Sequence, residues 1–248
     1  MQHMLWSQRL ETSKTKENAM NAIPLSRRLA AEFIGTALIL TVFVGSGVMG
    51  AKLAGDHYAA ALLANSIATG AAVYAILSAF APVSALFNPA MTLVARLSGW
   101  IGTSDAIAYT IAQVAGAVAG VALVHLMYGM PIVQSSAAVP LIPNLWLAEG
   151  LATFTLVFTI LALLRSAPDR VAGAVSLYVL AAFWFTASLN PAVVIARAMT
   201  STFDGIARAD VPALIIAQFT AALLAAGLAR WLFEPPAAEA VAGNPAKA

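Results

Sequence analysis

Six long apolar stretches set the terms on which this chain can fold. They run roughly from Leu29 to Gly50, Tyr58 to Ala81, Ala106 to Tyr128, Leu145 to Leu164, Val171 to Ala187 and Val211 to Phe233. The hydrocarbon core of a bilayer needs about 20 apolar residues of helix to cross it. Five stretches reach or approach that length, and the fifth in order is the shortest. Irregular chain in lipid would leave backbone N–H and C=O groups unpaired, so the stretches are expected to be helices. The expected fold class is an all-α membrane protein with six transmembrane helices. Composition agrees: 61% of the 248 residues are hydrophobic and 10% charged, against about 25% charged in a soluble domain.

The few charges orient the chain. With the N-terminus inside, Arg9, Lys14, Lys16, Arg27, Arg28, Arg96, Arg165, Arg170, Arg230 and Lys247 fall on the cytoplasmic side. Lys52, Arg197 and Arg208 fall outside. Cytoplasmic loops collect Lys and Arg, so both termini are expected in the cytoplasm. Residues 1–26 are polar and mixed in charge, with no apolar core of a signal peptide, and read as a cytoplasmic extension. Residues 234–248 read as a cytoplasmic tail. With no cysteine, disulfides and thiolate metal sites are excluded. No basic tract with interleaved aromatics points to nucleic acid. No nucleophile elbow, phosphate loop or His–carboxylate cluster points to an enzyme. His57 and His125 lie near span ends and suggest no metal site.

The chain repeats itself. Ala31-Glu32-Phe33-Ile34-Gly35-Thr36 in the first stretch matches Ala148-Glu149-Gly150-Leu151-Ala152-Thr153 in the fourth. Ile111-Ala112-Gln113 in the third matches Ile216-Ala217-Gln218 in the sixth, and Asn88-Pro89-Ala90 matches Asn190-Pro191-Ala192. The offsets are 117, 105 and 102 residues. The repeats are residues 27–128 and 129–233. Each holds three spans, an odd number, so the second must enter the membrane upside down, as an inverted repeat.

Asn is a favoured helix N-cap and Pro a favoured first helical residue, so each Asn-Pro-Ala should open a helix. The helices it opens, ending near Arg96 and Arg197, are too short to span a bilayer. They are expected to be two re-entrant half-helices that dip in from opposite faces and meet near the midplane. Their N-termini carry partial positive charge and free N–H groups. Each Asn can also offer side-chain NH₂ to a lumen. Such a centre favours lone pairs and repels cations. A third copy, Asn244-Pro245-Ala246, lies in the polar tail and is assigned no role. Buried carboxylates in a membrane need a reason. Glu32 and Glu149 could carry protons or ions. Their matched positions favour acceptance of hydrogen bonds from irregular backbone at depth, with Gln113 and Gln218 in similar scaffold work. Gly116, Gly120 and Gly173 are expected to let helices approach closely.

Together the Glu motif, the Gln motif and both Asn-Pro-Ala copies resemble the major intrinsic protein superfamily, the aquaporins and aquaglyceroporins. The resemblance covers about residues 27–233. It implies a passive channel for small neutral solutes in the lipid bilayer, a homotetramer with one pore per subunit, and no cofactor. Members commonly carry Arg three residues after the second motif's Asn; here that position is Val193. The approaches to the two motifs look one and about three residues short of the usual form. The resemblance maps a selectivity filter onto Thr69 (Ala68 if ungapped), Ala181 (Tyr178 if ungapped) and Val193. Thr69, Ala181 and Val193 would make a wide, weakly polar constriction. That resembles bacterial members that pass solutes such as glycerol or neutral metalloid hydroxides, and so an inner-membrane location. Two alternatives stay open: a secondary transporter, and a non-conducting member whose shortened loops have closed the pore.

Overall fold

The computed structural model describes residues 23–136, 138, 144–186 and 188–233. Among these residues the regular structure is helical, with eight α-helices, two single 3-10 turns and no strand. The helices are α1 (Leu25–Ala54), α2 (Tyr58–Phe80), α3 (Pro89–Leu97), α4 (Thr103–Met127), α5 (Asn144–Ser166), α6 (Val171–Ala182), α7 (Pro191–Arg197) and α8 (Val211–Phe233). Five of them, α1, α2, α4, α5 and α8, are long and apolar enough to cross a bilayer. Their outward faces carry exposed apolar side chains such as Ile111, Leu147, Ile216 and Leu224, which is what a lipid surround requires and water would penalise.

The fifth stretch does not form a sixth helix of that length. Helix α6 has 12 residues, about 18 Å at 1.5 Å per residue, against a hydrocarbon core of about 30 Å. The chain leaves the helix at Ala182 and turns through Phe183–Phe185. It must do so to bring Thr186, Ser188 and Leu189 onto Glu149. The expected end of the stretch, Ala187, lies outside the described residues, as do the sequence-based extension up to residue 22, the tail from 234 and the third Asn-Pro-Ala.

The two Glu motifs are 117 residues apart and the Asn-Pro-Ala copies only 102, so the second half is shorter between them. The loss is not in the loops that enter the motifs. Seven residues separate Phe80 from Asn88, and seven separate Ala182 from Asn190. Instead α6 is 11 residues shorter than α2, and α5 runs five residues less beyond Glu149 than α1 runs beyond Glu32. The linker between them is one residue longer in the second half. The shortening is therefore confined to the α5–α6 hairpin.

Packing repeats in both halves. Helix α1 packs on α2 and α4, as α5 packs on α6 and α8, and α2 meets α6 across the halves. Each half-length helix packs on α4 and α8. Close approach of α4 to α1 depends on two glycines. A Cβ on Gly116 would lie 2.3 Å from the Phe33 carbonyl oxygen, and one on Gly120 2.3 Å from that of Ala37. Gly173 is different: its Cβ would meet only the Tyr74 ring, at 3.9 Å.

Polar contacts sort the helix ends into two faces. Arg28 pairs with Asp105 at 3.0 Å, Arg165 donates to the Ala229 carbonyl at 2.8 Å, and Arg230 donates to the Leu97 carbonyl. These place the C-terminal end of α3 on the Arg28 face. On the other face Asn65 donates to Asp204, Tyr58 meets the Phe203 ring, and the Ser201 N–H donates to Gln134. These place the C-terminal end of α7 there. So α3 and α7 run outward from the middle toward opposite faces.

Candidate functional site

Each half holds its motif loop on a buried glutamate. Glu32 is fully buried and Glu149 nearly so. Glu32 accepts from the Leu86 N–H (2.9 Å), the Phe87 N–H (2.7 Å), the Ser84 hydroxyl (2.5 Å) and the Gln113 amide (2.8 Å). Glu149 accepts from the Ser188 N–H (2.9 Å), the Leu189 N–H (2.9 Å), the Thr186 hydroxyl and the Gln218 amide (2.9 Å). The sets correspond position by position. Loop backbone at this depth has no water to bond, so the carboxylates supply the acceptors. They also hold two side-chain-bearing residues at positive φ, Phe87 at 48° and Leu189 at 54°. Such a backbone costs about 1–3 kcal/mol unless its surroundings over-determine it.

That backbone twist aims the carbonyls of Phe87 and Leu189 across the midline. Asn88 caps α3 through its side-chain oxygen, which accepts from the Ala90 N–H at 2.8 Å; Asn190 caps α7 on the Ala192 N–H at 2.9 Å. Their amide groups then exchange partners. Asn88 Nδ2 donates to the Leu189 carbonyl at 2.9 Å, and Asn190 Nδ2 donates to the Phe87 carbonyl at 2.7 Å. Each Asn thus binds the residue preceding the other. An amide NH₂ has two hydrogens, so each Asn keeps one N–H beyond this exchange. Pro89 and Pro191 sit at the first helical position, where no N–H is needed, and Ala90 and Ala192 are fully buried behind them.

A cavity of about 700 Å³ runs past both asparagines. On the Arg28 face it is lined by Ser78, Ala81, Trp100, Pro168 and Asp169, where the short α6 leaves room. In the middle it meets Asn88, Asn190, Ser188 and Leu189. Toward the other face it ends among Phe43, Thr69, Phe183 and Val193.

A family model described as major intrinsic protein matches residues 19–186 of this chain, two thirds of its length, and stops just before the second Asn-Pro-Ala. The chain is 48% identical over 220 residues to "Aquaglyceroporin AqpS" of Rhizobium meliloti, covering 87% of this chain and 94% of that one. The chain belongs to the major intrinsic protein family. Membership of this family of channels, together with the five apolar helices, makes it an integral membrane protein of a channel type for small solutes. It is also 34% identical over 191 residues to "Aquaporin TIP1-2" of Musa acuminata, covering 70% of this chain and 75% of that one. To "Aquaporin-2" of Bos taurus it is 29% identical over 235 residues, covering 88% and 83%.

In this major intrinsic protein the positions mapped from sequence onto a filter separate. Thr69 and Val193 line the cavity; Ala68 does not. Ala181 is exposed, and neither Ala181 nor Tyr178 lines the cavity. The reason is helical phase. Val175, Val179 and Phe183 follow one another at four-residue spacing on the face that lines the cavity, and position 181 lies about 200° round the helix from 179. Sequence reasoning also missed Phe43, whose ring stands edge-on to Phe183 at 5.1 Å.

Beyond Thr69 lies a polar cluster that sequence reasoning missed. Asn65 accepts from the hydroxyls of Thr69 (3.2 Å) and Ser46 (3.0 Å), and its amide donates to Asp204 at 2.7 Å. The intramembrane Asn65 was the readable signal. Asp204 lies between α7 and α8, outside the spanning helices. Burial pushes its carboxyl up to about 7, while the Arg197 charge and the Asn65 bond act to lower it. Its Oδ2 abuts the Gly47 backbone, where a Cβ would come within 1.7 Å. His125 is buried with both ring nitrogens bonded, to the Ile132 carbonyl and the Thr200 hydroxyl. No group of residues that could hold a metal occurs among those described.

Proposed function

We propose that this protein is a passive channel for small uncharged solutes larger than water alone, such as glycerol-like polyols and neutral metalloid hydroxides. The observation that carries the reading is the reciprocal amide exchange of Asn88 and Asn190 beside a cavity that reaches past both from the Arg28 face. It ties two helix N-termini, each with partial positive charge, to one point. A cation meeting both ends is repelled, while a hydroxyl oxygen can accept the remaining N–H of each Asn. Glu32 and Glu149 act as scaffold, because their oxygens are occupied by loop donors.

Width is set toward the Asp204 face by Thr69, Val193, Phe43 and Val179. Val at 193 brings neither charge nor donors, so the constriction is weakly polar and admits more than water. The aquaglyceroporin name of the rhizobial relative fits solute passage. The channel works as a homotetramer in a bacterial inner membrane, with the Arg28 face in the cytoplasm. Its second half is re-entrant from outside through α7, its first from inside through α3.

Stopped-flow light scattering on proteoliposomes tests this with water, glycerol and a neutral metalloid hydroxide. The expected result is glycerol and metalloid flux above empty liposomes without saturation. Water flux with glycerol excluded would overturn the wide-filter reading, and flux of neither would overturn the channel.

A further inference from the structure

Position 193 lacks a cation, but one stands beside residues that line the passage. Arg197 is the last residue of α7, four residues beyond Val193 and so on the same face, one turn further out. A helical side chain leans back toward its helix N-terminus, which carries this guanidinium toward Val193. Its Nε donates to the Asp204 carbonyl oxygen at 2.6 Å and its Nη1 to the Ser188 hydroxyl at 2.8 Å. Its guanidinium carbon stands 5.3 Å from the centre of the Phe43 ring. Ser188 and Phe43 both line the cavity, so two of the three anchors belong to the passage itself. The residue is largely buried, with a minor share of its surface exposed. A guanidinium has five N–H donors; these two bonds leave three.

We propose that Arg197 is the specificity-determining cation of this pore, set one helical turn outside the Val193 constriction and aimed at it, where it repels cations and donates to oxygen-rich neutral solutes. The proposal rests on the channel reading. The three anchors fix the guanidinium in place before a solute arrives. Displacement by one turn separates charge from width: Val193 keeps the narrow point wide, and Arg197 supplies the field beside it. Asp204 opposes that field. Its carboxylate bonds to Asn65 away from the passage, and only its backbone carbonyl holds Arg197. At pH 8, where the Asp204 carboxyl is largely ionised, loss of the Arg197 charge and loss of the Asp204 charge should therefore act in opposite directions on cations.

The test is flux of glycerol and of methylammonium into proteoliposomes holding native protein, Arg197→Gln, Arg197→Lys or Asp204→Asn. Gln keeps a donor for one anchor and removes the charge. Methylammonium flux through Arg197→Gln should rise about tenfold, as removal of one fixed charge a few ångström from a wet passage implies, while glycerol flux, deprived of the Arg197 donors, should not rise with it. Arg197→Lys should stay near native for methylammonium, and Asp204→Asn should fall to or below native. Unchanged methylammonium flux in Arg197→Gln would overturn the proposal. So would equal leaks in all three variants, which a purely structural role of the cluster would give. If Gln fails to fold, Arg197→Lys decides, and a leak there overturns the proposal. Native protein that passes no glycerol would instead sink the channel reading.

Discussion

The two halves are alike where they hold the motif loops and unlike where they meet the faces. Around Glu32 and Glu149 the donors correspond one for one: two loop N–H groups, one hydroxyl and one Gln amide. Away from them the correspondence lapses. Helix α2 has 23 residues where α6 has 12. On the Arg28 face, Arg28 and Asp105 pair beside Tyr109; on the other, Arg197 packs on Phe43 beside a buried Asp204. A loop in an apolar interior has one economical way to satisfy its backbone, so duplication left it intact. The faces touch solute and water, so the halves were free to diverge there.

The largest effect expected from this comparison is loss of either glutamate. Glu32→Leu and Glu149→Leu should destabilise alike, by about 1–3 kcal/mol for each buried donor left unpaired and so several kcal/mol in all. Glu→Gln at either site keeps an acceptor and should be milder. Thermal melts of detergent-solubilised protein, read by size exclusion, check both. Tolerance of Leu at one site only would break the equivalence of the halves.

A smaller effect comes from exchanged volumes. Gly35 and Ala152 are equivalent, as are Phe87 and Leu189. A Cβ at Gly35 would lie 2.2 Å from the Phe87 ring, whereas Ala152 already packs in the same cluster as the smaller Leu189. Gly35→Ala should therefore cost about 1–3 kcal/mol by overpacking, and Phe87→Leu in the same chain should recover part of it. Simple addition of the two losses would show that the volumes are not coupled.

The asymmetric pair at Asp204 should show in pH. Its folded-state value, about 7, lies above the unfolded value of about 4, so the folded state holds the proton more tightly. The resulting stability is full below about pH 4, falls as pH rises toward 7 and is flat above that. The facing groups are the Arg197 guanidinium, the Asn65 amide and the Gly47 backbone. Melting temperature measured against pH should fall more steeply between pH 4 and 7 for native protein than for Asp204→Asn. Parallel curves would remove Asp204 as the cause.

The smallest effect repairs a mismatch. Thr92 donates to Gln113 in the first half, but its counterpart is Val194, and the buried Gln218 Oε1 has no hydrogen-bond partner. Val194→Thr should add about 1 kcal/mol through a new bond to that oxygen. A lower melting temperature would mean the site cannot admit the hydroxyl.

What the sequence made legible follows the same division. Apolar length located the five long helices, and Asn-Pro located the starts of α3 and α7, because capping is chemistry local to a few residues. Glu32 and Glu149 could be paired with loop donors because burying a carboxylate demands acceptance from something. The length of α6 was not legible: an apolar run does not say where a chain must leave the helix to reach Glu149. Nor was helix phase, so Ala181 was mapped onto a passage that Val179 and Phe183 line. Phe43 and Arg197 meet only in three dimensions, and no spacing announces them.

The central claim is a passage open to neutral solutes and made wide by Val at position 193. Paired water and glycerol permeabilities of native and Val193→Arg protein in liposomes test it most directly. Arg should lower glycerol permeability more than water permeability, because the larger solute loses clearance first. Native protein that conducts glycerol no better than empty liposomes, or Val193→Arg that leaves the glycerol-to-water ratio unchanged, would contradict it.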